Sequence, residues 1–355
     1  MKILFYINAI SHGGAERVIS NLANEFSNKG YDVTVVTSFP SEWEYFLTDG
    51  ICRVNLRNER LDGFIRRNVL LTRDLRKVIK TEKPDVAISF MAEPNFRLIM
   101  ATRGLKVRTL VSVRNDPDRE YPTKIHRSLA KTLFKMADGV VFQTGDAKEW
   151  FPKKIQEKSR IIMNQVDERF FNTTFDGERK NIVTTGRLTA QKNHRLLIEA
   201  FSTICDKIED NLIIYGEGEL REELESYVKK LGLSDRIFLP GAVKDVPETI
   251  KSARLFVLSS DYEGMPNSLL EAMALGLPCV STDCPCGGPR EVLGNIDGCL
   301  VEVGNAEQLA ERMLAVMKKG SSEITLISRS IAEKAESFRG DKVIAEWLDF
   351  VETSD

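Results

Sequence analysis

The chain has 355 residues, 42% hydrophobic and 29% charged, with a formal net charge of −2. Its length exceeds one ordinary domain and its balance is that of a globular protein with sizeable cores, which sets aside a disordered or fibrous chain. No run reaches the roughly 18 apolar residues of a spanning helix, and six scattered cysteines without CxxC spacing read as reduced thiols of a cytoplasmic protein, not as a disulfide framework or a zinc site.

The first ten residues, MKILFYINAI, have the superficial look of a signal peptide. The apolar run is short, however, and a Gly-Gly-Ala-Glu turn follows where a small-residue cleavage site would stand. Ile3–Ile7 is therefore expected as the first buried strand. Val33–Thr37, Val86–Ser89, Thr109–Val113 and Gly139–Phe142 follow, each succeeded by a helical pattern. Arg160–Met163 is strand-like, and the stretch Asn164–Asp167 after it marks a domain boundary. A second series runs Asn181–Thr185, Leu212–Tyr215, Ile237–Leu239, Leu255–Leu258, Pro278–Ser281 and Cys299–Val303. Alternating strand and helix predicts parallel sheets covered on both faces. Two doubly wound α/β domains are expected, 1–165 and 166–355, with ligand in the cleft between them, outside the carboxyl ends of the strands. Lys342–Val351 reads as an amphipathic helix, a candidate to pack back on the N-terminal domain.

Charge is unevenly spread. Residues 1–165 hold 28 Lys and Arg against 19 Asp and Glu, and the remainder holds 22 against 33. Two basic helices stand out in the first half. Phe64–Lys80 carries Phe64, Val69, Leu71, Leu75 and Ile79 among six cations, and Lys124–Met136 carries Ile125, Leu129 and Leu133 among Lys124, Arg127, Lys131 and Lys135. They suit an anionic membrane surface or, equally, a core contact with a solvated outer face. Nucleic acid is set aside because the basic stretches lack interleaved aromatics.

The chemistry-bearing stretches all follow strands. Gly13 and Gly14 form a turn that lets phosphate or sugar approach the backbone, with His12 beside it read as a capping or surface residue. The pattern is not GxGxxG, so dinucleotide binding is disfavoured. Arg114 and Asn115 open a polar loop whose Asp116-Pro-Asp118 is a chance-frequent DxD, and no metal is expected. Arg187 and Lys192 lie five apart after the first strand of the second half. A planar guanidinium and a point-charge ammonium there can share one diphosphate, the alternative being two solvated cations. Tyr215–Gly218, Pro240–Val243 and Cys286–Glu291 add glycine turns along the same rim.

The central stretch is Ser259–Val280. A buried strand runs into Glu263-Gly264-Met265-Pro266, then into a helix capped by Asn267 or Ser268 and stopped at Gly276. The helix start offers backbone N–H groups to an anion. Glu263 and Glu271 frame it. Carboxylates beside a phosphate site are suited to sugar hydroxyls, the plainer reading being ordinary loop and helix-surface acids.

Glu263-GMPNSLL-Glu271 is the EX7E pattern, and with GGAE at 13–16 and GRLTAQKN at 186–193 the chain resembles the retaining glycosyltransferases of family 4. SVRNDP at 112–117 and GGPREV at 287–292 resemble bacterial members that extend surface polysaccharide or lipid-linked oligosaccharide. The resemblance implies the GT-B fold, two Rossmann-like domains facing an interdomain cleft, with the acceptor on the first domain and the nucleotide sugar on the second. It implies that Arg187 and Lys192 hold the donor diphosphate and Glu271 the ribose. Glu263 would face the transferred sugar, and Gly264, Met265, Asn267, Ser268 and Leu269 would offer amides. Gly13 and Gly14 would close over the phosphates. Arg114 and Asn115 would serve the acceptor, although the histidine many relatives carry near them is missing.

The implied activity is a hexosyltransferase moving a hexose from a UDP-linked sugar to a hydroxyl of a glycan or polyprenyl-diphosphate-linked acceptor. Arg187, Lys192 and the helix start would stabilise the leaving diphosphate without a metal or other cofactor. A cytoplasmic enzyme, peripheral on the inner face of the plasma membrane, is expected. The alternatives are a non-catalytic sugar-nucleotide or polysaccharide-binding subunit and another GT-B enzyme, such as an epimerase or an inverting transferase.

Overall fold

The computed structural model describes residues 1–353 apart from His12, Asn58, Arg60, Leu61, Asn295 and Asp297. The role expected of His12 therefore lies outside the described residues. The chain divides into two compact units, Met1–Asn164 together with the segment from Ile344 onward, and Gln165–Val343.

The first unit is built on β1 (Lys2–Ile7), β2 (Asp32–Thr37), β3 (Cys52–Asn55), β4 (Val86–Phe90), β5 (Arg108–Ser112), β6 (Gly139–Phe142) and β7 (Ser159–Ile161). They form one parallel sheet in the order β3-β2-β1-β4-β5-β6-β7. The inner strands are short apolar runs buried on both sides, as parallel strands require. β3 was not expected: it sits at the sheet edge, its CRVN segment is only partly buried, and no apolar run announces it.

Right-handed crossovers place helix Gly14–Asn28 on one face of this sheet. Helices Phe64–Glu82, Ala92–Thr102 and Lys124–Leu133 lie on the other, packed in that sequence. Helix Gly340–Glu352 also belongs largely to the first unit. Its buried Trp347 stacks on Phe90 with ring centroids 5.8 Å apart. Arg108 donates to the carbonyls of Phe350 and Val351 at 2.9 and 2.7 Å, satisfying the helix's last acceptors. The span 166–355 expected for the second domain thus gives its last helix to the first unit, because Trp347 and Phe350 complete that unit's interior.

The second unit holds β8 (Ile182–Thr185), β9 (Leu212–Tyr215), β10 (Ile237–Gly241), β11 (Leu255–Leu258), β12 (Cys279–Thr282) and β13 (Leu300–Val301). Their order is β10-β9-β8-β11-β12-β13, again parallel. Its core joins Leu196, Leu197 and Phe201 of helix His194–Ser202 to Ile182, Leu212, Leu255 and Val280 of the sheet. In each sheet the strand order reverses once, between β1 and β4 and between β8 and β11. At such a reversal the loops leaving the carboxyl ends part in opposite directions and open a crevice, the usual seat of a ligand in open α/β sheets.

Candidate active site

The reversal in the second unit is closed by two loops that hydrogen-bond to each other. One leaves β8 and carries Arg187–Asn193; the other leaves β11 and carries Ser259–Pro266. Lys192 Nζ meets Glu263 Oε1 at 2.5 Å. Ser260 Oγ donates to the same oxygen at 2.7 Å, and Gln191 Nε2 to Glu263 Oε2 at 3.3 Å. Gln191 Nε2 also donates to the Tyr262 carbonyl at 3.0 Å, Asn193 Nδ2 to Asp261 Oδ1 at 2.7 Å, and Ser259 Oγ to the Lys192 carbonyl at 2.9 Å. Glu263 is only 6% exposed, so its charge is tolerable because two neutral donors and a cation surround it. Arg187 is exposed and makes no side-chain hydrogen bond or ion pair among the described residues. The two cations singled out in the sequence therefore differ: Lys192 is held by an acid, while Arg187 stands open on the rim.

Local chemistry sets these positions. Asn193 takes a left-handed conformation at φ 43°, and its Oδ1 accepts the Leu196 N–H at 3.2 Å, capping helix His194–Ser202. His194 is buried beneath it with Nδ1 unpartnered, and burial, reinforced by Lys192, pushes its pKa down to about 4. Burial and then Glu263 push the neighbouring Cys284 thiol well up, so it stays protonated.

The glycine turns of the rim are packing requirements. A Cβ at Gly216 would stand 1.8 Å from the Gly186 carbonyl oxygen, and one at Gly288 1.8 Å from that of Gly264. Backbone bonds from Gly186 N to Tyr215 O and from Leu188 N to Glu217 O, both 2.9 Å, stitch the β8 loop to the β9 loop. A pocket of about 590 Å³ borders the other side of the rim, lined by Asp261, Asp283, Arg290 and Glu302 among others. A wider concavity of about 780 Å³ lies ahead of β8, β9 and β11, at the opposite edge of the sheet, and contains none of the candidate residues.

Helix Asn267–Ala274 starts differently from expectation. Pro266 takes the extended capping position, so Asn267 and Ser268 fall inside the first turn and no side chain caps the helix. The Leu269 amide is already bonded to the Pro266 carbonyl at 3.0 Å. Those of Gly264 and Ser268 make no hydrogen bond among the described residues. Ser268 Oγ is buried without a partner, while Met265 and Leu269 are buried. Glu271 is buried on this helix; Asp167 foremost, then Asp245 and Glu271, raise the pKa of the Arg169 guanidinium above its ordinary value.

In the first unit Gly13 caps helix Gly14–Asn28 in an extended conformation with no side-chain hydrogen bond. The acceptor candidates part company. Arg114 turns inward: its guanidinium lies over the Phe90 ring at 4.5 Å and bonds Asn164. Asn115 remains on the rim and accepts the Asp116 N–H at 2.9 Å. Glu120 accepts the Arg114 and Asn115 N–H groups at 3.2 Å each, and burial pushes its carboxyl up to about 7 despite them. Asp116 caps helix Pro117–Glu120 through the Asp118 N–H, and Asp118 receives Trp150 Nε1 at 3.0 Å. The reversal between β1 and β4 also holds a cluster that no motif announced. Arg97, 3% exposed, donates to Asn8 Oδ1 at 2.6 Å and Asn68 Oδ1 at 2.7 Å and pairs with Glu93.

Comparison with known proteins agrees with this architecture. The family model for glycosyltransferase family 4 matches residues 12–170, and that for glycosyl transferases group 1 matches residues 165–334. The chain is 27% identical over 99% of its length to a Campylobacter jejuni enzyme, 98% of which is covered. That relative is named GalNAc-alpha-(1->4)-GalNAc-alpha-(1->3)-diNAcBac-PP-undecaprenol alpha-1,4-N-acetyl-D-galactosaminyltransferase. The present chain is also 26% identical over 85% of its length to an Escherichia coli UDP-Gal:alpha-D-GlcNAc-diphosphoundecaprenol alpha-1,3-galactosyltransferase, with 84% of that enzyme covered. Among solved structures, Anabaena HepE in complex with UDP and glucose superposes with a TM-score of 0.84 at 18% identity, covering 98% of each chain. Two parallel-sheet units in succession, each matched by its own half of the family description, make this chain a member of the GT-B glycosyltransferases, with a family 4 first half and a group 1 second half.

Proposed function

We propose that this glycosyltransferase moves a hexose from a UDP-linked sugar to a hydroxyl of a polyprenyl-diphosphate-linked glycan in bacterial surface-polysaccharide synthesis, with retention of anomeric configuration. The observation that carries the reading is the Lys192–Glu263 contact across the β8/β11 reversal, beside the exposed Arg187 and the start of helix Asn267–Ala274. The donor diphosphate meets Arg187, Lys192 and the amides of Gly264 and Ser268. Glu271 takes the ribose hydroxyls. The Gly14 amide is offered to phosphate from the first unit's own rim, the Gly13 amide being bonded to the Ser11 carbonyl at 2.8 Å, and Asn115 lies on the acceptor side. The donor and the lipid-linked acceptor are the classes named in the relatives from Escherichia coli and Campylobacter jejuni.

As the bond between the anomeric carbon and the diphosphate oxygen breaks, negative charge grows on the diphosphate. Preorganised cations and amides stabilise that charge, the kind of contribution that dominates many enzymes. In this reading they need no metal. The acceptor hydroxyl attacks the anomeric carbon on the face the diphosphate leaves, and its proton passes to the departing diphosphate oxygen. A double displacement through Glu263 is disfavoured, because both its oxygens are engaged by Lys192, Ser260 and Gln191.

A thermal-shift screen of nucleotide sugars tests the donor. UDP-hexoses should raise the melting temperature more than other nucleotide sugars, since ligand bound to the native state stabilises it. Transfer to a polyprenyl-diphosphate glycan, followed by NMR of the product anomer, tests the reaction. An inverted product would replace the reading with an inverting transferase, and donor binding without transfer or hydrolysis would replace it with a non-catalytic subunit.

A further inference from the structure

One guanidinium organises the crevice at the β1/β4 reversal of the first unit. Asn8 is the first residue beyond β1 and Glu93 the third beyond β4, so both stand on the carboxyl edge where the strand order turns. Arg97, a helical turn on from Glu93, lies beneath them at 3% exposure. Its Nη1 donates to Asn8 Oδ1 at 2.6 Å and to the Tyr6 and Ser38 hydroxyls at 3.2 and 3.4 Å. Its Nε donates to Asn68 Oδ1 at 2.7 Å, and its Nη2 to Glu93 Oε2. A buried cation costs more than an apolar side chain of similar volume, so packing alone does not call for Arg97. What it does is fix the oxygens of three side chains that come from β1, helix Phe64–Glu82 and helix Ala92–Thr102.

The guanidinium leaves open a donor beside an acceptor. Asn8 Oδ1 also accepts Ser38 Oγ at 3.1 Å, but Asn8 Nδ2 has no partner among the described residues and the side chain is only half-buried. Glu93 is 34% exposed, and its Oε1 lies 3.7 Å from Arg67, an ion pair beyond hydrogen-bond reach. Asn8 and Glu93 are held by neighbouring nitrogens of one planar group, so the free amide and the free carboxylate oxygen stand close together. A sugar hydroxyl, which both donates and accepts, suits such a pair. The backbone that delivers Glu93 is strained. Met91 takes φ 77° and ψ 155°, a conformation left to glycine. Asn95 pins it there, donating its N–H to the Met91 carbonyl at 2.9 Å and its Nδ2 to the Ser112 carbonyl at 2.8 Å. Strain of this kind gathers at ligand clamps.

We propose that Asn8 and Glu93 read a hydroxyl of a neutral sugar ring of the acceptor glycan, and that Arg97 is the positioning residue that holds both. A neutral ring is the matching ligand, because every nitrogen of Arg97 is engaged inside the fold and the open carboxylate oxygen repels a phosphate. The inference rests on the reading of a glycan acceptor and assigns one of its contacts.

The test uses the full chain and the methyl α-glycosides of glucose, galactose, N-acetylglucosamine and N-acetylgalactosamine, followed by saturation-transfer NMR, which needs neither donor nor turnover. At least one glycoside should show saturation of its ring protons, and Asn8→Ala and Glu93→Gln should each raise its Kd at least about fivefold. Arg97→Lys keeps the charge but not the fork. In transfer to a water-soluble acceptor it should raise the acceptor KM at least about tenfold, with kcat and donor KM near wild type. A merely structural role would move both substrates together. If Arg97→Lys loses its melting transition, Asn8→Ala and Glu93→Gln, which alter partly exposed side chains, give the decision. Wild-type protein that binds none of the four glycosides overturns the proposal, as do variants that bind them like wild type. Affinity for inorganic diphosphate that falls in the same two variants also overturns it, in favour of an anion site. Glycoside binding that the variants lose, beside a wild type that transfers no sugar, supports the contact and sinks the proposed reaction instead.

Discussion

Lys192 and Arg187 stand on one loop, but their surroundings predict different phenotypes. Arg187→Ala should lower transfer at least about 10²-fold while leaving the melting temperature near wild type, because the side chain is exposed and makes no hydrogen bond or ion pair among the described residues. Lys192→Ala should lower transfer similarly and also destabilise, by up to about 3–5 kcal/mol, because it strands the buried Glu263 with only Ser260 and Gln191. Steady-state kinetics and denaturant melts on the two variants separate these effects, and near-normal turnover in either removes the charge-stabilisation argument. His194 supplies a pH dependence. Its folded pKa, about 4, lies below the ordinary 6.5, so its neutral form is the native one. Its contribution is fully present above pH 6.5 and is lost as pH falls towards 4, because the unfolded chain takes up the proton first. The melting temperature should fall over that window, and His194→Leu should flatten the slope. The sequence displayed Arg187, Lys192, Glu263 and Glu271 because their spacing is local. It concealed Gln191 and Ser260, since only folding brings Lys192 to a residue 71 positions away. Arg97 was hidden for a related reason: one cation inside AEPNFRLIMAT looks like a surface residue until Asn8 and Asn68 are folded over it.

Elements rather than side chains decide whether the rim keeps its form. Gly288→Ala should destabilise by at least about 1–3 kcal/mol, because the added methyl meets the Gly264 carbonyl and neither backbone can retreat cheaply. Gly320→Ala, with open space around it, should be close to neutral. Chemical denaturation of the pair checks this, and equal stability would show that the two loops are not tightly apposed. The strands of both sheets were legible because strands buried on both sides are uninterrupted apolar runs. β3 was not, since an edge strand needs no such run. The start of helix Asn267–Ala274 was misread by one or two residues because Asn267 and Ser268 are the favoured capping types, yet Pro266 takes the extended capping position and leaves both in the first turn.

At the scale of the molecule, length anticipated two units, and alternating strands and helices anticipated their class. The path of the chain was less legible, because an amphipathic helix does not say which sheet it covers. Helix Gly340–Glu352 leaves the second unit to fill a face of the first. A fragment ending at residue 165 should therefore aggregate or melt far below the intact protein, and a peptide of residues 340–353 should rescue it. A fragment that folds unaided would show that Trp347 is dispensable. In genetic terms the second unit is an insertion: Gln165–Val343 interrupts a domain that resumes afterwards. Its two ends emerge together, Val166 bridged in parallel to Arg339 with a bond from Val166 N to Phe338 O at 2.9 Å. The portion proposed to choose the donor can thus be exchanged between homologues as one cassette with two neighbouring junctions, whereas a chimera spliced only once inherits a foreign helix in its amino-terminal half.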